Sequence, residues 1–278
     1  MTLSGTAGLA GLIGWPVAHS LSPKLQKFWL KELGIDGAYI PLAVNPENLS
    51  LALWALPALG FKGVNITVPH KEQALALVDK TDSFARRIGA VNTISVDEKG
   101  RLIGSNTDAY GFIKNLKGEA RHWKPSRPVL VLGAGGAARA VCVALLNAGA
   151  REVRICNRTR SRAESMADEI GGPLVAIEWG ERAEAVEGAG LLVNTTKLGM
   201  IGAPMLSMPL TKLPRSAIVT DIVYTPLMTP LLVSARERGN RTVDGLGMLL
   251  HQAQPGFTAW FGREPKVTEA LRAHVLGA

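Results

Sequence analysis

Short apolar runs closed by glycine, proline or polar turns alternate with longer mixed segments along this 278-residue chain. That rhythm is the one strands and helices make when they take turns in a parallel or mostly parallel α/β protein. In the first third, the runs near Ala10–Gly14, Ala38–Ala43, Gly63–Thr67 and Val91–Val96 predict strands, and the stretches near Pro23–Leu33, Pro46–Leu59 and Lys71–Val78 predict helices. Ser22-Pro23 is a favourable helix start, with the hydroxyl at N-cap and proline at the first helical position. Asp97-Glu98-Lys99-Gly100 reads as a hairpin turn before Arg101–Ser105. A loop at Gly118–Pro128, with its prolines, glycine and charges, suits a connection between domains. Beyond it, Pro128–Leu132 is a short buried strand, Ala137–Asn147 an alanine-rich helix ended by Gly149, and Val153–Cys156 the next strand. Further strands fit Gly190–Asn194, Ala217–Asp221 and the region of Thr242–Val243. Gly247–Leu276 reads as helical, with Pro255-Gly256 implying a kink or break.

Composition narrows the class. Hydrophobic residues make up 47% and charged residues 19%, the balance of a globular protein with a substantial core. The length suits two domains better than one. No apolar run reaches the roughly 18 residues that cross a bilayer, and Met1 to Gly14 lacks the positive region of a signal peptide, so it reads as a first strand. Two cysteines, Cys142 and Cys156, supply no disulfide framework and fit a reducing cytoplasm. The formal charge of +8 raises nucleic acid as a partner, but the basic residues are scattered, without an aromatic-interleaved stripe. A positive protein also attracts small anions, which is the preferred reading. The five histidines, His19, His70, His122, His251 and His274, are dispersed away from both cysteines, so no metal site is expected.

The chemistry starts at Gly133-x-Gly135-x-x-Ala138, between a predicted strand and a predicted helix, where a dinucleotide fingerprint belongs. Gly133 permits the tight turn, Gly135 lets backbone N–H groups approach a pyrophosphate, and Ala138 lets the helix pack closely with its N-terminus towards the anion. The end of the following strand discriminates between cofactors. Asn157-Arg158-Thr159-Arg160-Ser161-Arg162 holds no carboxylate before Glu164. An acidic residue there would hold a ribose 2′-hydroxyl, whereas Arg158 and Arg162 can pair with a 2′-phosphate. NADP is therefore the expected cofactor, against the blander possibility of a solvated basic loop.

Gly14-Trp-Pro-Val-Ala-His-Ser20-Leu-Ser22-Pro23, Asn65-Ile-Thr67-Val-Pro69-His-Lys71-Glu72, Gly89-Ala-Val-Asn92-Thr93 and Asn106-Thr107-Asp108 resemble the successive motifs of the shikimate dehydrogenase family. Asn157-Arg158-Thr159 and Asp244-Gly-Leu-Gly-Met248-Leu-Leu-His-Gln252 continue the likeness in order, over nearly the whole chain. The resemblance implies that Lys71 and Asp108 form the catalytic pair. It implies that Ser20 and Ser22 bind a substrate carboxylate, that Asn65, Thr67, Asn92 and Gln252 hold ring hydroxyls, and that Tyr224 faces the same ligand. On the cofactor side it implies Gly133, Ala134, Gly135, Gly136 and Ala137 at the glycine turn. Asn157, Arg158, Thr159 and Arg162 follow at the adenosine end, with Thr195, Ile222, Gly245 and Met248 towards the nicotinamide.

Residue chemistry is consistent with these roles. Two hydroxyls at a helix start can donate to a carboxylate alongside free N–H groups, and Asn65 and Thr67, two apart on a strand, share a face. Taken singly, Ser22 and Asp108 could be helix caps, Asn65 and Thr67 a polar strand edge, and Lys71 a solvated loop lysine; together they point to a site. Three positions depart from the family pattern. Ala109 replaces a usual glycine, Ser105 a frequent aspartate, and Lys197 a common proline. The expectation is two α/β domains: residues 1–108 plus 245–278 binding substrate, and residues 109–244 forming a Rossmann-type NADP domain, with the reaction in the cleft between them. The implied activity is reversible reduction of 3-dehydroshikimate to shikimate by a cytoplasmic enzyme, monomeric or homodimeric, with no nucleic-acid or membrane partner. A quinate/shikimate dehydrogenase using NAD or NADP is the nearest rival, and a non-catalytic NADP-binding sensor a more distant one.

Overall fold

The computed structural model describes residues 3–277; Met1, Thr2 and Ala278 lie outside the description. The chain divides into two compact units, one built from residues up to Thr107 together with those from Leu249 onward, the other from Asp108–Met248. The stretch around 118–128, whose composition suggests a domain connection, therefore lies inside the second unit.

In the first unit the order is β1 (Gly8–Gly14), α1 (Ser22–Glu32), β2 (Gly37–Ala43), α2 (Leu49–Ala55), β3 (Phe61–Ile66), α3 (Lys71–Leu77), β4 (Lys80–Thr81), α4 (Ser83–Ile88), β5 (Thr93–Val96) and β6 (Leu102–Ser105). The six strands form one sheet in the order β2-β1-β3-β5-β6-β4. β2, β1 and β3 run parallel, while β5 is antiparallel to both β3 and β6. Both faces are covered. Ile13 of β1 packs with Leu49, Leu53, Leu56 and Val64, whereas its neighbours Ala10 and Leu12 pack with Val17, Tyr39 and Trp260 on the other side. A strand with both faces buried reads as a continuous apolar run, which is why it was visible in the sequence.

The second unit opens with α5 (Asp108–Glu119), then β7 (Val129–Leu132), α6 (Gly136–Asn147), β8 (Val153–Asn157), α7 (Arg160–Ile170), β9 (Leu174–Glu178), α8 (Arg182–Ala185), β10 (Leu191–Asn194), β11 (Ile218–Asp221), α9 (Pro230–Glu237) and β12 (Arg241–Val243). Its six strands are all parallel, ordered β12-β11-β10-β7-β8-β9. Numbered along the chain that order is 6-5-4-1-2-3, the doubly wound arrangement that places a ligand at the carboxyl ends of β7 and β10, where the winding reverses. The chain then runs through α10 (Leu246–Phe261) into α11 (Glu269–Leu276).

Three local expectations are corrected. Ser22 is the first residue of α1 rather than its cap: Leu21 holds the N-cap position without a side-chain bond, and the Ser22 N–H donates to Ser20 Oγ at 3.2 Å. The region predicted as one helix from Pro46 is a short 3-10 turn over Pro46–Asn48, led by Asn45, followed by a helix that ends at Ala55. Pro255 sits inside α10 without ending it. The interruption falls later, after Phe261, where Gly262 adopts φ +67, a left-handed terminator that suits glycine.

Candidate active site

Within the first unit, the residues singled out for substrate fall on the ends of several elements and share one polar network. Asn65, the fifth residue of β3, is buried. Its amide donates to the Asn92 carbonyl at 3.2 Å and to Thr93 Oγ1 at 3.0 Å, and its oxygen accepts from the Tyr39 hydroxyl at 2.8 Å. Thr93 Oγ1 donates onward to Asn92 Oδ1 at 3.0 Å. Asn92 in turn donates to Thr107 Oγ1 at 3.0 Å and to Gln252 Oε1 at 3.2 Å, and accepts from the Thr107 N–H at 2.8 Å. Gln252 closes the set by donating to the Leu249 carbonyl at 3.1 Å. Asn65, Asn92 and Gln252, the last two 160 residues apart, are thus joined by side-chain hydrogen bonds. Buried amides must be partnered in this way, because an unmade bond costs the desolvation of the group.

Thr67 lies just past the end of β3, half-buried, its N–H on the Ile13 carbonyl at 2.9 Å. A side chain at Gly14 would run into Thr67, which explains the glycine there. Ser20 and Ser22 meet through the Ser22 N–H described above, and Ser22 is buried. Lys71 is the first residue of α3, and its carbonyl accepts from Val91 N at 2.8 Å, tying the lysine's backbone to the segment before Asn92. His70 beside it is fully buried and donates from Nε2 to the Val44 carbonyl at 2.8 Å, a bond that anchors the loop.

The sequence reading missed three members of this network: Tyr39, Thr93 and Thr107. The two threonines lie inside the motifs quoted above, so the signal was present but carried no role. Tyr39 is signalled only by β2 alternation, one aromatic with a polar tip on a buried face. Burial pushes its phenol far above the ordinary tyrosine value, against a smaller opposing hydrogen bond from Ser22.

The second unit holds the expected cofactor residues. Gly133 follows β7 with φ +112, and a Cβ there would lie 2.6 Å from Thr195 Oγ1, so glycine is required on two counts. Thr195 donates from both its N–H and its hydroxyl to the Leu132 carbonyl, at 2.9 and 2.6 Å, holding the β10 loop under the turn. Gly135 is the N-cap of α6, with no side-chain cap and open space where a Cβ would stand. The first N–H groups of α6, beginning at Gly136, Ala137 and Ala138, are left to an outside acceptor, which fits a pyrophosphate.

At the end of β8, the Asn157 amide donates to the Thr159 carbonyl at 2.8 Å. Arg160 is paired with Glu164 at 2.7 Å and Glu178 at 2.9 Å, while Arg158 and Arg162 are exposed. The nearby carboxylates are thus committed to Arg160, which leaves two guanidinium groups for a ribose phosphate. The donor set fits NADP.

At the other end of the expected cofactor set, Asp221 ends β11 fully buried. It accepts from Asn194 Nδ2 and Val223 N, both at 3.0 Å, and from Thr229 Oγ1 at 2.8 Å. Burial outweighs those three bonds and pushes its carboxyl up to about 6. The segment pinned this way carries Ile222 and Tyr224, and burial raises the Tyr224 phenol as well. Gly245 packs so tightly on the carbonyls of Ile222 and Val223 that no side chain fits. Met248, one turn on, is buried. Asp108 is the buried first residue of α5, one peptide bond beyond Thr107. Cys142 and Cys156 are buried thiols pushed up to about 12 and about 11, protonated and unsuited to nucleophilic work. Among the described residues, no helix is long and apolar enough to cross a membrane, and no three His, Cys, Asp or Glu side chains converge as metal ligands.

Residues 12–94 match the family described as shikimate dehydrogenase substrate binding domain, and residues 119–224 match shikimate / quinate 5-dehydrogenase. A shikimate dehydrogenase (NADP(+)) of Paramagnetospirillum magneticum is 58% identical over 275 residues, 99% of this chain and 100% of that protein. Among solved structures, shikimate 5-dehydrogenase of Thermus thermophilus in complex with NADP(H) and shikimate superposes with a TM-score of 0.86 at 39% identity, over 97% of this chain and 99% of that one. Quinate dehydrogenase of Corynebacterium glutamicum in complex with NAD superposes with a TM-score of 0.89 at 32% identity, over 98% and 99%.

Proposed function

The chain belongs to the shikimate dehydrogenase family, and on that premise we propose that it works as an NADP-dependent shikimate dehydrogenase, interconverting 3-dehydroshikimate and shikimate on the route to the aromatic amino acids. The observation that carries the reading is the 58% identity to an NADP-dependent relative over 99% of the chain. The committed carboxylates around Arg160 favour NADP over NAD.

When bound, NADPH supplies the hydride. The chain's own residues bind, orient and manage the proton. Ser20 and Ser22 take the substrate carboxylate, Asn65, Thr67, Asn92 and Gln252 hold the ring hydroxyls, and Tyr224 closes on the same ligand. The Lys71 ammonium stabilises the alkoxide that develops at C3 and gives it a proton, while the Asp108 carboxylate orients the lysine and holds its charge. In the oxidative direction the same pair removes the C3 hydroxyl proton. Arg158 and Arg162 grip the 2′-phosphate; Gly245 and Met248 flank the nicotinamide. The reaction takes place in the cytoplasm, in a monomer or a homodimer.

Initial rates with shikimate or quinate, each with NADP or NAD, test the proposal. Shikimate with NADP should give the highest kcat/KM. A preference for quinate with NAD would move the protein to the quinate branch of the family, and no turnover with any pair would favour a sensor.

A further inference from the structure

We propose that the Tyr39 hydroxyl is a positioning residue: together with the Asn92 carbonyl it pins the Asn65 amide, so that Asn65 offers the ligand only an acceptor. The proposal rests on the reading that Asn65 touches substrate. Tyr39 sits in the middle of β2, its ring packed among Ala10, Leu12, Val17 and Trp260, with the Trp260 ring centroid 6.0 Å away. Its hydroxyl reaches the Asn65 oxygen at 2.8 Å.

An amide oxygen has no hydrogen, so Tyr39 must donate in that bond. Once it does, each later link has one direction. Both Asn65 amide hydrogens are spent, on the Asn92 carbonyl at 3.2 Å and on Thr93 Oγ1 at 3.0 Å. The Thr93 hydroxyl, having accepted, gives its single hydrogen to Asn92 Oδ1 at 3.0 Å. The Asn92 amide oxygen is thereby fixed on the accepting side, and its nitrogen points hydrogens at Thr107 Oγ1 and Gln252 Oε1, at 3.0 and 3.2 Å. The Gln252 oxygen is now an acceptor, and one of its two hydrogens goes to the Leu249 carbonyl at 3.1 Å. What remains for a ligand is one lone pair on Asn65 and one N–H on Gln252. Asn65 therefore accepts from a ring hydroxyl, and Gln252 donates to one.

The Tyr39 hydroxyl holds the oxygen end of the Asn65 amide, as the Asn92 carbonyl holds its nitrogen end. With phenylalanine at position 39 the ring still packs, but the Asn65 oxygen loses its donor and the amide is held at its nitrogen end only. A buried acceptor left unmade costs enough to change binding by about tenfold or more.

The experiment measures shikimate oxidation by wild type, Tyr39→Phe and Asn65→Ala, with thermal melting and the NADP KM alongside. The 4- and 5-deoxyfluoro analogues of shikimate, whose fluorine cannot donate, serve as probes. Tyr39→Phe should raise the shikimate KM about tenfold, with kcat within about threefold and the NADP KM unchanged. Wild type should turn over one fluoro analogue at least about tenfold less efficiently than the other, and Tyr39→Phe should narrow that contrast, because the Asn65 oxygen is no longer held in place. Thr93→Val cuts the same chain one link on and should raise the shikimate KM likewise, which keeps the test alive if Tyr39→Phe does not fold. An unchanged shikimate KM in Tyr39→Phe overturns the proposal, as does a parallel loss of kcat and of the NADP KM with a lowered melting temperature. If Asn65→Ala itself leaves the shikimate KM unchanged, the proposal falls through its premise, and the assignment of Asn65 to the ligand falls with it.

Discussion

At the scale of single residues, chemistry was legible wherever one side chain is uncommon in its setting. Arg158 and Arg162 stood out because a carboxylate was missing from the end of β8, and the structure accounts for the odd one out by pairing Arg160 with Glu164 and Glu178. Arg158→Ala should raise the NADP KM about tenfold, the worth of one charge-assisted hydrogen bond, and leave the NAD KM almost unchanged. Equal effects on both cofactors in steady-state kinetics would remove Arg158 from the 2′-phosphate. Lys71→Ala should lower kcat by at least roughly a hundredfold while the shikimate KM moves far less, since positioned acid–base groups act in the transition state. A wild-type kcat with a raised KM would make Lys71 a binding residue instead. Tyr39 was not legible. Its role depends on which atom of Asn65 it meets across the sheet, and one sequence carries no record of a cross-strand partner.

At the scale of elements, strands buried on both faces were read correctly because they have no polar side to interrupt the run; Val129–Leu132 and Leu191–Asn194 are the clearest. The two-residue strand Lys80–Thr81, the charged helix Arg160–Ile170 and the half-exposed strand Leu174–Glu178 escaped notice, each lacking that uniform burial. The short helix Ser83–Ile88 did carry signals, with Asp82 capping Ala85 N at 2.6 Å and Gly89 in the left-handed region at its end. The end of β11 makes a sharper prediction. A carboxyl whose pKa is raised on folding binds more protons folded than unfolded, so its ionisation opposes folding. For Asp221 that penalty is absent below the ordinary aspartate value of 3.8, grows as pH rises through the window to about 6, and stays in full above it. Asparagine can accept from Val223 N and Asn194 and donate to Thr229 in the same space. The melting temperature of Asp221→Asn, measured against wild type, should therefore improve between pH 4 and pH 7. A difference that is flat across that range would show that Asp221 ionises as freely in the folded protein as outside it.

At the scale of the whole molecule, the doubly wound order of the second sheet followed from the alternation of strand and helix together with the glycine turn, whereas the mixed sheet of the first unit did not. Its β5–β6 hairpin depends on pairings that periodicity cannot order. The first unit is also assembled from both ends of the chain. Trp29 meets Phe257 edge-on at 5.4 Å, and the Trp260 indole donates to the Ile94 carbonyl at 3.0 Å across a glycine, Gly63, that leaves room for it. Trp260→Ala should cost roughly 3–5 kcal/mol, as other buried aromatic truncations do, a large share of a domain's stability. Melting should show the loss, while NADP binding, titrated by fluorescence, should persist; joint loss of both would mean the two units stand or fall together. The same arrangement has a consequence on the ribosome. By the time Met248 has emerged, the sheet of the second unit is complete, but the sheet of the first still lacks the aromatic cover supplied by Phe257 and Trp260. Synthesis therefore finishes the later-encoded unit first, and the beginning of the message waits, partly uncovered, for its end.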